Sequence, residues 1–331
     1  MKLAGRDEFS IIGFLKSRCG SSECLIRGIG DDCAVTTIGP GEVQLITTDL
    51  LTEGVHFKRE WIGLNALGRK AVTVNVSDLA AMGAEPRFLF LSLAIPDLLT
   101  IADLENLLDG FLSACSGYGI TLAGGDTCRS ASGLTLSVTA YGVAAEAAWV
   151  GRDGAEVGDA VCVTGTVGDS ALALQQLFSG QTPEEQLLQR HIDPTARVEV
   201  GRRLAAGDIP TAMIDISDGL LGDLEHLLSA SGVGADLKLD LLPLSSSFRS
   251  ALTNNASLID LALAGGEDYE LLFTAPPSAL PMIDDIAAST GVPIGRIGSI
   301  VERHSELKVY GPDGVIPLPA KRGYKHFPET G

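Results

Sequence analysis

Carboxylates set beside glycines and hydroxyl side chains recur along this sequence, and they are the residues best suited to chemistry. They occur in Gly28-Ile29-Gly30-Asp31-Asp32, Thr47-Thr48-Asp49, Gly124-Gly125-Asp126-Thr127, Asp215-Ile216-Ser217-Asp218-Gly219 and Gly265-Gly266-Glu267-Asp268. Glycine lets main chain approach a ligand closely and offers N–H donors to phosphate oxygens. Aspartate at such a place supplies hard oxygen ligands of the kind Mg²⁺ takes alongside water and substrate phosphates. Taken singly, each motif also reads as an ordinary turn with a solvated acid. Together they describe a magnesium–nucleotide site. Asp78, in Asn75-Val76-Ser77-Asp78, lies among Val74, Val76, Leu79, Ala80 and Ala81, so its charge needs a partner. A metal ion and Lys70 would each satisfy it, and periodicity leaves the two open.

The elements that must position these groups alternate in type. Val43 to Ile46 reads as a strand ending at Thr47-Thr48-Asp49, and Leu64 to Met82 as a helix stopped at Gly83. Phe88 to Ile95 is apolar at nearly every position, which predicts a strand buried on both faces. Leu98 to Tyr118 has a helical pattern, Ile120 to Ala123 reads as a short strand running into Gly124-Gly125-Asp126, and Leu134 to Val143 as another strand. Turn residues cluster from Gly151 to Asp159. After them come a strand at 160–164, helices at 170–177 and 194–206, a strand at 212–216 and a helix at 220–229. The expected class is α/β (α+β), in two domains of residues 1–147 and 148–331.

With 24 Lys and Arg against 42 Asp and Glu, the net charge of −18 argues against nucleic acid, whose binding rests on clustered cations. No apolar run approaches a membrane span, and the N-terminal residues show no signal peptide, so a soluble, cytoplasmic protein is expected. The six cysteines form no CxxC pair and read as reduced thiols. None of the five histidines stands in HExxH spacing, which leaves oxygen-bound hard cations as the metal class. GxxxxGK[ST], the protein-kinase motif set, GxGxxG and GxSxG are all absent. His56 reads as structural or as a ligand, and His191, His226, His304 and His326 read as structural. Tyr324 and Phe327 read as core or as a stacking surface.

In joint order and spacing the chain resembles the thiamine-monophosphate kinase family, within the aminoimidazole-ribonucleotide-synthetase-like superfamily. The resemblance covers essentially the whole chain. It rests on residues 28–34, Thr48-Asp49, Gly54 to Phe57, Val74 to Ala84, Gly124 to Thr127 and Val163 to Thr166. Gly168 to Ser170, Gln189 to His191, Asp215 to Gly219, Gly265 to Glu270 and the closing Gly323-Tyr324 also carry it. Thr47 stands where many members have serine, which keeps the hydroxyl.

The resemblance implies transfer of the γ-phosphoryl of ATP to thiamine monophosphate. Asp32, Thr47, Thr48, Asp49, Asp78, Asp126 and Asp215 would be ligands of several Mg²⁺ ions, with Asp218 a further candidate. Asp49 and Asp126 would be the catalytic carboxylates, Gly125, Asp126, Arg152 and Ser217 ATP contacts, and His56, Glu267 and Tyr324 contacts to the thiamine substrate. It also implies an N-terminal mixed sheet that forms a dimer barrel, with a C-terminal α/β domain behind, and hence a homodimer. Competing expectations are a sister synthetase that uses the same ATP site on another acceptor, and a non-catalytic nucleotide or metal sensor.

Overall fold

Two sheets and the helices between them carry the chain. The structure, a computed structural model, describes residues 25–27, 31–303 and 306–324. The first sheet is built from β1 (Leu25–Arg27), β2 (Ala34–Gly39), β3 (Glu42–Thr52), β4 (Glu85–Pro96), β5 (Thr121–Ser130) and β6 (Thr135–Ala145), in the order β1-β2-β3-β6-β4-β5. Its pairings are antiparallel except β4 with β5. The second sheet uses β7 (Ala160–Thr164), β8 (Ala212–Asp215), β9 (Gly234–Lys238), β10 (Leu271–Ala275), β11 (Ile294–Val301), β12 (Leu307–Gly311) and β13 (Gly314–Ile316), ordered β13-β12-β9-β11-β7-β10-β8. The expected α/β (α+β) class holds.

Helix α1 (Leu64–Ala81) is the axle of the molecule. Nearly every residue from Leu67 to Ala81 is buried, because the helix packs on β3 and β6 on one side and on β8 of the second sheet on the other. A helix buried on nearly all sides in this way belongs between layers rather than on a surface. It crosses α2 (Ile101–Tyr118) at very short range: a Cβ on Gly68 would lie 2.1 Å from the Leu107 carbonyl oxygen, and one on Gly110 1.9 Å from that of Asn65. Only glycine permits that crossing. Thr100 starts α2 with a reciprocal capping box to Asp103.

The second half adds α3 (Asp169–Phe178), α4 (Glu185–Ile192), α5 (Val198–Ala206), α6 (Leu220–Ser231), α7 (Ser246–Asn254), α8 (Ile259–Ala264) and α9 (Leu280–Thr290). Val161, Val163, Ile214, Leu224 and Leu272 are among the buried side chains of its core.

Several expectations need correction. Strand β3 does not end at Thr47-Thr48-Asp49 but runs through them to Thr52, and β5 runs straight through Gly124-Gly125-Asp126. Both acidic motifs therefore sit within strands rather than in turns. Strand β4 is not buried on both faces: Leu89, Leu91 and Leu93 point inward, whereas Phe88 and Phe90 are 48% and 38% exposed. Helix α4 falls in a stretch for which the sequence suggested no element.

Candidate functional site

The site forms where α1 meets the middle of β3 in the first sheet and the end of β8 in the second. Strand alternation puts Thr47 and Asp49 on the face of β3 that looks at α1, and Thr48 on the other. Thr47 donates to Asp78 Oδ2 at 2.6 Å, and the Asp49 main-chain N–H donates to Asn75 Oδ1 at 3.1 Å. Asn75, Ser77 and Asp78 thus serve the site from a single turn of α1. Ser77 reaches the second sheet, donating to Asp215 Oδ2 at 2.6 Å, where Asp215 is the last residue of β8. Asp32, Asp78 and Asp215 each bring one carboxylate oxygen into a group in which all lie within 4.8 Å of one another.

Packing acids together out of water has a direct electrostatic consequence. Burial and the nearby Asp32 charge push Asp49 up to about 6 and Asp215 up to about 8. Burial, then Asp49, Asp215 and Asp32, hold Asp78 well above the usual carboxylate range. Burial and Asp32 also raise Asp31. Arg27 lies 3.6 Å from Asp31, but the Asp32, Asp78 and Asp215 group has one visible counter-charge among the described residues: Arg152 Nε donates to Asp32 Oδ2 at 3.2 Å. The cluster carries more negative charge than this guanidinium balances, and its donors are all oxygen. This set fits Mg²⁺ and offers nothing to a soft metal.

A second group of site residues lies beside the first. Asp223, in the first turn of α6, accepts main-chain N–H bonds from Ser217, Asp218 and Gly219 at 3.1, 3.1 and 3.0 Å, pinning that loop. The Glu267 N–H donates to the Ser217 carbonyl at 2.8 Å, and the Tyr324 N–H to that of Asp218 at 3.0 Å. Glu267 and Tyr269 adopt positive φ of 67° and 51°, strained for residues with side chains and sustained by these bonds. Tyr324 is half exposed, which removes the core reading. His56 accepts from the Thr52 N–H at 3.0 Å through Nδ1. The carboxyl of Glu267 is held low despite burial, chiefly because the Lys70 ammonium beside it outweighs the cost of desolvation.

The structure therefore brings Asp32, Thr47, Asp49, Asp78, Asp215 and Arg152 together, and joins Ser217, Asp218, Glu267 and Tyr324 along one rim. It does not bring Thr48 to the cluster: the Thr48 hydroxyl turns to the opposite face and donates to the Val138 carbonyl. Asp126 stands exposed on β5 next to Gly125, accepting from the Thr127 N–H at 2.8 Å. Of the two partners left open for Asp78, Lys70 pairs with Glu267 instead, and Thr47 donates to the Asp78 carboxylate. Sequence reasoning did not single out Asp31, Asn75, Ser77 or Asp223 individually, although Asp31, Asn75 and Ser77 stood inside motifs it quoted. Phe327, His304 and His326, with Gly28-Ile29-Gly30, Cys19 and Cys24, lie outside the described residues.

Fold and site define a class. Residues 30–144 match the AIR synthase related protein, N-terminal domain, and residues 156–310 the AIR synthase related protein, C-terminal domain. Within that class, the chain belongs to the thiamine-monophosphate kinase family. It is 40% identical to a thiamine-monophosphate kinase of Salmonella typhimurium over 97% of this chain and 98% of the relative. It is 37% identical to that of Haemophilus influenzae over 91% and 92%. A solved structure described as AaThiL complexed with AMPPCP and TMP superposes with a TM-score of 0.83 at 35% identity, covering 98% of this chain and 100% of that one.

Proposed function

We propose that this chain transfers the γ-phosphoryl of ATP to thiamine monophosphate, giving thiamine diphosphate and ADP. The observation that carries the proposal is the convergence of Asp32, Asp78 and Asp215, from both halves of a chain whose relatives are thiamine-monophosphate kinases, into one all-oxygen cluster. The structural relative's AMPPCP and TMP, as named for that protein, supply the two ligand classes.

The acceptor chemistry suits a site without a strong base. A phosphate monoester has its second pKa at about 6 and is largely dianionic at neutral pH, so no proton need be removed from it. The barrier is repulsion between that anion and the ATP phosphates. Mg²⁺ held by Asp32, Thr47, Asp49, Asp78 and Asp215 would neutralise phosphate charge and stabilise the spread charge of the transition state.

The chain's own residues place the reactants. Asp49 and Asp126 are taken as the catalytic carboxylates, with Asp126 and Asp218 as outlying acids that complete the metal set once ligands are present. Thr48 is retained in that set only through its main chain. Gly125, Asp126, Arg152 and Ser217 are assigned to ATP, supported by the glycine backbone beside Asp126 and by a guanidinium ready to exchange Asp32 for phosphate. His56, Glu267 and Tyr324 are assigned to the acceptor, whose thiazolium cation suits an ionised carboxylate and an exposed aromatic face.

Transfer is direct and in line, without a phosphoenzyme. The domains are taken as residues 1–147 and 148–331, and the protein as a cytoplasmic homodimer. The dimer reading draws support from the open edge strand β5 and from Phe88 and Phe90, two large apolar side chains left uncovered on one face of the first sheet. No helix among the described residues is long and apolar enough to cross a membrane.

The test is ADP release with ATP, Mg²⁺ and either thiamine monophosphate or free thiamine. Release with the monophosphate alone is expected. Binding of ATP with no turnover on the monophosphate would transfer the site to another acceptor or to a sensor.

A further inference from the structure

Lys70 is a buried cation that the phosphoryl-transfer site does not use. It sits on α1, and its side chain is 2% exposed. Its ammonium makes two contacts across the domain junction: an ion pair with Glu267 Oε1 at 2.8 Å and a hydrogen bond to the His191 carbonyl at 2.9 Å. The second Glu267 oxygen lies 3.4 Å from His191 Nδ1, and Ser170 Oγ lies 3.0 Å from the same nitrogen. Burial, then Lys70, keeps His191 low, at about 4, so it stands neutral beside the carboxylate. Glu267 itself is 23% exposed in its side chain and held at a positive φ.

The geometry is that of a mount. A carboxylate on a strained loop is open to the site on one side and clamped on the other by groups from α1 and α4. A buried ammonium with a fixed hydrogen-bond partner is a costly device if the carboxylate has only to fold away, since an apolar pair would serve as well. We propose that Lys70 is a positioning residue: it fixes the Glu267 carboxylate in the direction in which the cationic, thiazolium-bearing acceptor meets it. This rests on the acceptor assignment of Glu267 made above. Lys70 acts only through Glu267, so its removal weakens capture of the acceptor and spares ATP.

The experiment is a double-mutant cycle on the full-length enzyme, using Lys70→Met, Glu267→Gln and the double variant, with KM for thiamine monophosphate and for ATP and kcat measured separately. Lys70→Met is expected to raise the KM for thiamine monophosphate about tenfold, with kcat and the KM for ATP within about threefold of wild type. The double variant is expected to match Glu267→Gln alone, because the two residues share one role. Lys70→Gln keeps amide donors toward Glu267 and the His191 carbonyl. It is expected to recover part of the loss, and it reads the effect if Lys70→Met does not fold. Additive losses in the cycle, or equal rises in both KM values, would overturn the positioning role while leaving the reaction intact. A wild-type enzyme that leaves thiamine monophosphate unphosphorylated would overturn the acceptor assignment itself, and this inference with it.

Discussion

Replacing Asp215 with asparagine separates the two properties that the acid cluster combines, stability and cation demand. Asp215 is 2% exposed, and its carboxyl titrates near 8 in the folded chain, against about 3.9 when unfolded. For an acid whose folded pKa is raised, stability is fully present below the unfolded value and is lost as pH rises towards the folded one. The window therefore runs from about pH 4 to about pH 8, where the cost to the metal-free fold reaches roughly 5 kcal/mol. Asparagine removes that cost while its Oδ1 can still accept from Ser77. Asp49 and Asp78 share the repulsion, so the expected gain is a few kcal/mol. For a chain of this length that is about 3–7 °C in Tm.

The assay is thermal unfolding of wild type and Asp215→Asn in EDTA at pH 5 and pH 8, then with Mg²⁺. The variant should melt higher at pH 8, the difference should shrink at pH 5, and Mg²⁺ should raise the wild-type Tm but move the variant little. A variant that melts lower than wild type at pH 8, or gains as much from Mg²⁺, would refute the reading of a charge-frustrated cation site.

Other outcomes follow from the same geometry. Mg²⁺ affinity should fall as pH drops first through about 8, where Asp215 takes up a proton, and again through about 6, where Asp49 does; titration calorimetry at roughly pH 5, 7 and 9 reads both changes. Gly125→Ala should cripple ATP use and lower Tm, because its Cβ would lie 1.8 Å from the Leu91 carbonyl oxygen across the β4–β5 pairing; kinetics alongside circular dichroism separates the two effects, and an unchanged KM for ATP would count against the assignment. Phe88→Asp with Phe90→Asp should convert a dimer to monomer on analytical ultracentrifugation, whereas an unaltered sedimentation coefficient would remove this face from the interface.

The alternation of apolar runs and helical patterns was enough to read the α/β class, because each element's burial repeats in its own sequence. The acidic motifs were legible for the same local reason. What could not be read was where a strand continues through a motif that looks like a turn. Gly124-Gly125-Asp126 belongs to β5 because β4 runs beside it in parallel, and nothing within the motif records that neighbour. Phe88 and Phe90 look like core by composition, yet half their face is uncovered in the single chain. Thr48 resembles Thr47 in type but points away from the acids, a matter of strand phase. The pairings of Ser77 with Asp215 and Lys70 with Glu267 join residues from opposite halves of the chain, so only the packed fold shows them.

The central claim is direct phosphoryl transfer onto a phosphate at this acid cluster. Its most direct measurement follows the label from γ-³²P-ATP with Mg²⁺ and thiamine monophosphate, separating thiamine diphosphate, inorganic phosphate and protein. Label is expected in thiamine diphosphate, with none retained on the protein, and transfer is expected to be lost in Asp49→Asn. Label trapped on the chain, or released only as inorganic phosphate while the acceptor stays unmodified, would contradict direct transfer.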